Sequence, residues 1–208
     1  MTQDKILLDG AMGTQLALRG LSMAGDTNLT NPDAVLDIHQ QYSQCGCHIL
    51  ITNTLIMNRI YIETMLDLRE ALCALRACKE ISALPVIVSL AFSSLKNGGR
   101  TIMGNSARDC ATALTESGAQ AVGANCGDIN LSQMAEIVSG LRSATALPVL
   151  AQPNAGKPRL IDNRTEFDMS PADFSKGIFE CIRAGARLVG GCCGTSPEHI
   201  RAVAQPLI

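Results

Sequence analysis

Flat rings and charge are both scarce in this 208-residue sequence, which has no Trp, two Tyr, four Phe and only 17% charged residues. Few rings leave little for nucleobases to stack on, and a formal net charge of -2 offers no basic stripe for phosphates. Nucleic acid is therefore excluded as an expected partner. Long apolar runs are missing too. Each apolar stretch is strand-length and broken by Gly, Asn, Asp or Pro, short of the roughly 20 residues of a membrane-spanning helix, so no membrane span is expected. Residues 1–10 run into a strand-like segment without the charged, apolar and cleavage regions of a secretory leader, and the expected compartment is the cytoplasm. No repeat, linker or low-complexity tract divides the chain. With 47% hydrophobic residues, 1–208 reads as a single domain around one substantial core.

What the sequence does have is cysteine, nine in all. An odd number without a leader argues against a disulfide framework and for metal binding or burial. Taken singly, Cys73, Cys78, Cys110 and Cys181 sit in helical patterns and read as core. Short β-branched runs alternate with amphipathic stretches, predicting strands buried on both faces at 6–9, 49–53, 60–63, 86–90, 121–126, 149–152 and 187–191. Helices between them start at Asn31-Pro32, Ser170-Pro171 and Ser196-Pro197, and two close at Gly118 and Gly185.

Polar or reactive residues end most of these strands: Asp9, Asn53, Glu63, Asn125 with Cys126, Gln152 with Asn154, and Cys192 with Cys193. Such a spread over many strand ends predicts the catalytic face of a (β/α)8 TIM-barrel-like fold rather than the single switch point of an open sheet. One interval resists. Between Asn53 and Ile60 there is no room for a crossover helix, although parallel neighbours need about a dozen connecting residues.

Three thiolates with a fourth position open make a catalytic zinc arrangement, because the open position accepts a substrate sulfur. Cys126, Cys192 and Cys193 offer that set from two strand ends. The glycines around the pair, in Gly190-Gly191-Cys192-Cys193-Gly194, let the backbone bend until both sulfurs face one ion. A zinc-bound thiol is deprotonated at neutral pH, where a free aliphatic thiol is mostly not. The alternative is burial of Cys126 and a chance Cys-Cys pair.

At these residues the chain resembles the homocysteine S-methyltransferase family. The segments that carry the likeness are Asp9-Gly10-Ala11-Met12-Gly13-Thr14, Thr52-Asn53-Thr54, Ile62-Glu63-Thr64-Met65, Gly123-Ala124-Asn125-Cys126, Gln152-Pro153-Asn154-Ala155-Gly156 and Gly190-Gly191-Cys192-Cys193-Gly194-Thr195. They run in order over nearly the whole chain. The resemblance implies Cys126, Cys192 and Cys193 as zinc ligands, Asp9 and Glu63 as the carboxylates that hold the amino group of homocysteine, and Thr14 and Asn125 as further substrate contacts. It implies methyl transfer to the thiol of homocysteine, giving methionine. The donor would be S-methylmethionine, betaine or methylcobalamin, and the last would have to arrive on a separate cobalamin-carrying protein.

The sequence departs from the family where Asn58-Arg59-Ile60 runs directly into Tyr61-Ile62-Glu63. About two βα units' worth of chain is absent, and Leu55 replaces the family's usual aromatic. The expectation is a shortened barrel lacking about one strand and its flanking helices, with an apolar side near residues 55–65 that associates into a homo-oligomer or rests on a partner. A shortened relative that binds zinc and a thiol without turnover is the alternative to an active enzyme.

Overall fold

The structure is a computed structural model that describes residues 5–22, 27–51, 60–93, 99–161 and 164–207. In chain order its elements are β1 (Ile6–Leu7), α1 (Met12–Leu18), α2 (Thr27–Thr30), α3 (Pro32–Gln44), β2 (Ile60–Met65), α4 (Leu68–Ile81), β3 (Val86–Leu90), α5 (Ala107–Glu116), β4 (Ala121–Asn125), α6 (Leu131–Arg142), β5 (Val149–Gln152), β6 (Arg159–Ile161), β7 (Arg164–Glu166), α7 (Pro171–Arg183), β8 (Leu188–Val189) and α8 (Pro197–Ala204).

Local chemistry accounts for most boundaries. α3, α7 and α8 start with proline behind the caps Asn31, Ser170 and Ser196, where the absent N–H is no loss and φ is preset. Ser106 and Asn130 open α5 and α6 with reciprocal capping boxes to Asp109 and Gln133. Gly118 and Gly185 follow the ends of α5 and α7 with φ of 84° and 113°, a conformation glycine adopts without a Cβ clash.

Six strands form one parallel sheet in the order β1-β8-β5-β4-β3-β2. Leu8 adds a parallel bridge to Ile49 on the side of β1 away from β8. Alternation along the strands creates two apolar layers. Val86, Val88, Val122, Val149 and Val189 face outward against the helices in the main core. Leu8, Ile87, Ala121, Leu150 and Leu188 face inward, joined by Ile6, Ile49, Ile51 and Tyr61. A filled interior behind helix-covered parallel strands is barrel-like construction, and among the described residues the sheet ends at β2 on one side and at the Ile49 bridge on the other. Above this apolar layer the next inward positions are polar: Ser89, Asn125 and Gln152 are all buried.

Several expectations change. The expected strand at 6–9 is regular only at Ile6–Leu7, with Leu8 bridged to Ile49, and that at 187–191 only at Leu188–Val189, although backbone hydrogen bonds continue through Gly190 and Gly191 to Ala151 O and Asp9 O. The strand expected at 49–53 reduces to the Ile49 bridge, with positions 52 and 53 outside the described residues. The 60–63 strand extends to Met65 through a register shift between Ile62 and Met65. An unexpected antiparallel hairpin, β6 with β7, occupies the β5–α7 connection. Cys110 and Cys181 are core as expected, but Cys73 is exposed, lying roughly 200° around α4 from buried Ala71. The sheet's two sides end at β2 and near Ile49, bracketing the short connection; residues 52–59, with Asn53 and Leu55, lie outside the described residues.

Helices α6 and α7 pack through a glycine. A Cβ at Gly177 would stand 2.3 Å from Leu131 Cδ1 and 2.6 Å from Leu131 Cβ. The second atom is bonded to the backbone, so rotation of the side chain cannot relieve the clash and the helices must separate. In an exposed helix Gly→Ala stabilises by about 1 kcal/mol; here the sign reverses. Gly177→Ala is expected to destabilise by about 1–3 kcal/mol, read as a lower Tm in thermal unfolding. An unchanged or raised Tm would show that the two helices are not in this contact.

Candidate functional site

The loops that follow β1, β4, β5 and β8 are stitched by backbone hydrogen bonds at one end of the sheet. Cys126 N–H donates to Gln152 O, Cys192 N–H to Pro153 O, Ala155 N–H to Cys193 O and Gly191 N–H to Asp9 O, at 2.9–3.2 Å. This brings Cys126, which directly follows β4, to Cys192 and Cys193 after β8. Their three Sγ atoms lie within 4.8 Å of one another.

The glycines around the pair act differently from the expectation. Gly190 and Gly191 are required for close approach: a Cβ at Gly190 would lie 2.9 Å from Asp9 O, and one at Gly191 2.5 Å from Thr195 Cγ2. Only Gly194, with φ of 79°, supplies the turn. Thr195 completes it, its hydroxyl donating to Cys192 O at 2.7 Å and accepting Ala11 N–H at 2.9 Å. Thr14 Oγ1 accepts Gly194 N–H at 3.2 Å, and the buried Tyr42 hydroxyl reaches Ala11 O and Thr195 O. Thr14 thus braces the double-cysteine loop. Thr195 and Tyr42 were not singled out from the sequence. Thr195 stands inside the Gly-Gly-Cys-Cys-Gly-Thr segment, whereas Tyr42 arrives from α3 with no local signal.

The thiols behave as a set. Hydrogen bonds from Cys192 and Cys193 hold Cys126 far below the usual thiol range, and serving as its donors holds Cys192 and Cys193 above it. One negative charge shared by three converging sulfurs is what a soft, positively charged ion matches. Cys110 and Cys181 contrast with them. Burial pushes each up to about 12, which leaves them as thiols.

Asp9 is 1% exposed. Its Oδ2 accepts Ile51 N–H at 2.8 Å, while its Oδ1 is buried with no partner. Burial pushes the carboxyl up to about 8, against the Ile51 hydrogen bond and with a further push from the charge of Glu63. Glu63 keeps solvent access, yet burial of its carboxylate and then the Cys126 charge raise it too. Asp9, Glu63 and Cys126 are therefore electrostatic neighbours. Neither carboxylate takes part in any ion pair among the described residues. Nearby, Asn154 Nδ2 donates to Gly127 O while its Oδ1 is buried and unpartnered. The centre is anionic, partly unsatisfied and open to a cation. Asn125 lies under it in a hydrogen-bonded network with Thr64 and Ser89.

The sequence profile of the homocysteine S-methyltransferase family matches residues 6–61 and 57–207. The chain belongs to this family. Its two matched stretches meet at residues 57–61, the interval where the sequence leaves no room for a crossover. Methionine synthases of Mycobacterium leprae and Mycobacterium tuberculosis are 29% and 30% identical to it over 151 residues, 70% of this chain. The chain spans 12% of the length of each. The fold matches apo homocysteine methyltransferase MmuM from Escherichia coli with a TM-score of 0.77 at 19% identity, covering 97% of this chain and 95% of that one. An archaeal fructose 1,6-bisphosphate aldolase superimposes with a TM-score of 0.51 at 15% identity, so this architecture is also found in a protein of different name and chemistry. Among the described residues, no helix is long and apolar enough to cross a membrane.

Proposed function

We propose that this family member transfers a methyl group to the thiol of homocysteine, giving methionine, with zinc held by Cys126, Cys192 and Cys193. The observation that carries the reading is one constellation: three Sγ atoms within 4.8 Å, with Glu63 in electrostatic contact both with Cys126 and with Asp9, whose Oδ1 is buried and unpartnered. That one centre presents a thiolate set for a metal and an acceptor for an ammonium, the two groups that distinguish an amino thiol. The E. coli homocysteine methyltransferase that shares the fold is known in a metallated form, which is in keeping with a metal in this reading.

Zinc, when bound, supplies the positive charge that keeps a thiol ionised at neutral pH. The protein's own groups do the rest. Asp9 Oδ1 and the Glu63 carboxylate accept N–H from the substrate ammonium, which aims the sulfur at the cysteines. Anionic cysteine donors leave electron density on that sulfur. The substrate thiol yields its proton to solvent, its sulfur bonds the donor's methyl carbon, and the donor departs with the electron pair of the broken bond. The donor is a cobalamin-carrying protein or a small sulfonium or ammonium compound such as S-methylmethionine or betaine.

Proton release sets the pH dependence. Asp9, raised to about 8, is protonated in the free protein at neutral pH, and an arriving ammonium favours its carboxylate. Binding therefore releases protons from both the thiol and Asp9. Homocysteine affinity is expected to rise with pH up to about 8 and to weaken as pH falls, measurable by titration calorimetry in buffers of different ionisation enthalpy. Affinity independent of pH would remove both groups from the site.

A methionine-formation assay with S-methylmethionine, betaine and a methylcobalamin-carrying protein tests turnover. Glu63→Gln should weaken homocysteine several-fold more than a thiol lacking the amino group, and equal losses would separate Glu63 from the amine. Homocysteine binding without methionine from any donor would favour the shortened, non-catalytic reading, which the short stretch of sequence between Asn53 and Ile60 supports.

A further inference from the structure

Glu63 and Thr64 sit where β2 loses register with β3, between the pairs Ile62 with Val88 and Met65 with Leu90. Bulges of this kind re-aim side chains beside active sites. Thr64 has φ of 57°, a left-handed conformation that a β-branched residue avoids unless its surroundings hold it there. What holds it is Asn125, 1% exposed at the end of β4.

The orientation of the Asn125 amide follows from its partners. Thr64 N–H can only donate, and it points at one atom of the carboxamide at 2.9 Å, so that atom is Oδ1. Ser89 Oγ donates to the same oxygen, and the Tyr61 hydroxyl lies 2.9 Å from Ser89 Oγ and 2.6 Å from Gln152 Oε1 beneath it. The remaining atom must then be Nδ2. It donates to Thr64 Oγ1 at 2.6 Å and faces Cys192 Sγ at 3.8 Å. A sulfur acceptor at that distance is strengthened when it carries charge.

We propose that Asn125 is a positioning residue that couples the two halves of the site: its carbonyl oxygen clamps the bulge that carries Glu63, and its amide N–H steadies Cys192 Sγ as a metal ligand. The second arm rests on the metal reading above; the first does not. The amine-holding carboxylate and the metal thiolates are thereby held in one register. The signal in the sequence was position alone, since Asn125 directly precedes Cys126 and was expected to touch substrate.

The test uses Co2+ as the probe metal and separates the two arms with two variants. Asn125→Asp keeps an acceptor for Thr64 N–H but turns an anionic oxygen toward Cys192. It is expected to preserve slow hydrogen exchange at the Thr64 amide while Co2+ affinity falls about ten- to a hundredfold and the thiolate-to-cobalt absorption band shifts. Asn125→Ala removes both arms, so Thr64 exchange should also accelerate and the preference for homocysteine over a thiol lacking the amine should shrink. Thr64→Gly relieves the left-handed strain without touching Cys192, and is expected to leave the cobalt band in place. The role is overturned if Asn125→Asp binds Co2+ with wild-type affinity and spectrum, or if Thr64 exchange is unchanged in Asn125→Ala. Wild-type protein that takes up no Co2+ refutes the metal site itself and the Cys192 arm with it, whereas normal uptake with unaltered Asn125 variants refutes only this inference.

Discussion

Cys192→Ala is expected to strip the protein of metal. Purified with zinc available, the wild-type chain should carry about one ion per chain, and Cys192→Ala about a tenth of that or less, with methionine formation lost in parallel. The three sulfurs lie within 4.8 Å, so removal of one leaves two thiols, too few to hold the ion against buffer ligands. Cys126→Ala and Cys193→Ala should behave alike. Cys110→Ala is the control. That side chain is fully buried in the core and remains a thiol, so its loss should lower stability by about 1–2 kcal/mol while zinc content stays at the wild-type level. Zinc measured by emission spectroscopy in the four variants decides the matter. Unchanged metal in Cys192→Ala, or equal loss in Cys110→Ala, would end the assignment.

Asp9→Asn is expected to make the protein more stable and less able to bind its substrate. The sign follows from linkage. A carboxyl whose folded pKa is raised, here from 3.8 to about 8, holds a proton in the native state that the unfolded chain has already released. Stability therefore falls as pH rises between those values, and the full penalty is present above pH 8. Asparagine has no charge to bury and can still accept Ile51 N–H, the one hydrogen bond that Asp9 Oδ2 makes. At pH 8.5 the variant should be more stable by about 2 kcal/mol, or roughly 4–8 °C in Tm, and near pH 4 the two proteins should coincide. Homocysteine should bind roughly thirtyfold more weakly, about 2 kcal/mol, because the amide offers no charge to the ammonium. Parallel stability curves for the two proteins across that pH range, or unaltered homocysteine affinity, would show that Asp9 does not carry this buried charge in the site. A residue whose removal stabilises the fold while impairing binding is a known signature of functional sites.

The elements themselves were legible because their signals are local. Proline behind Asn31, Ser170 and Ser196, glycine at positions 118 and 185, and β-branched runs at 86–90 and 149–152 act over a few residues, and the helices and strands appear there. The chemistry-bearing residues were legible for a related reason: in a parallel α/β fold, whatever ends a strand lies on the same face as what ends the next. Residues 126, 192 and 193 therefore converge although 66 positions separate the first pair. The hairpin β6–β7 was not legible, since three-residue strands carry too little periodicity to stand out.

The sequence by itself determined where the central strands and several helix starts lie, and the set of cysteines and carboxylates at the strand ends. Only tertiary structure decided how those groups act. Asp9 Oδ1 is buried without a partner, so burial rather than residue type sets the carboxyl's proton affinity. Thr14 reads as a substrate contact, and in the fold its hydroxyl also accepts Gly194 N–H from 180 positions away. Asn125 is bound at once to Thr64, Ser89 and Cys192 from three other strands or loops. Desolvation and hydrogen-bond pairing depend on every neighbour in space, and no local pattern along the chain encodes them.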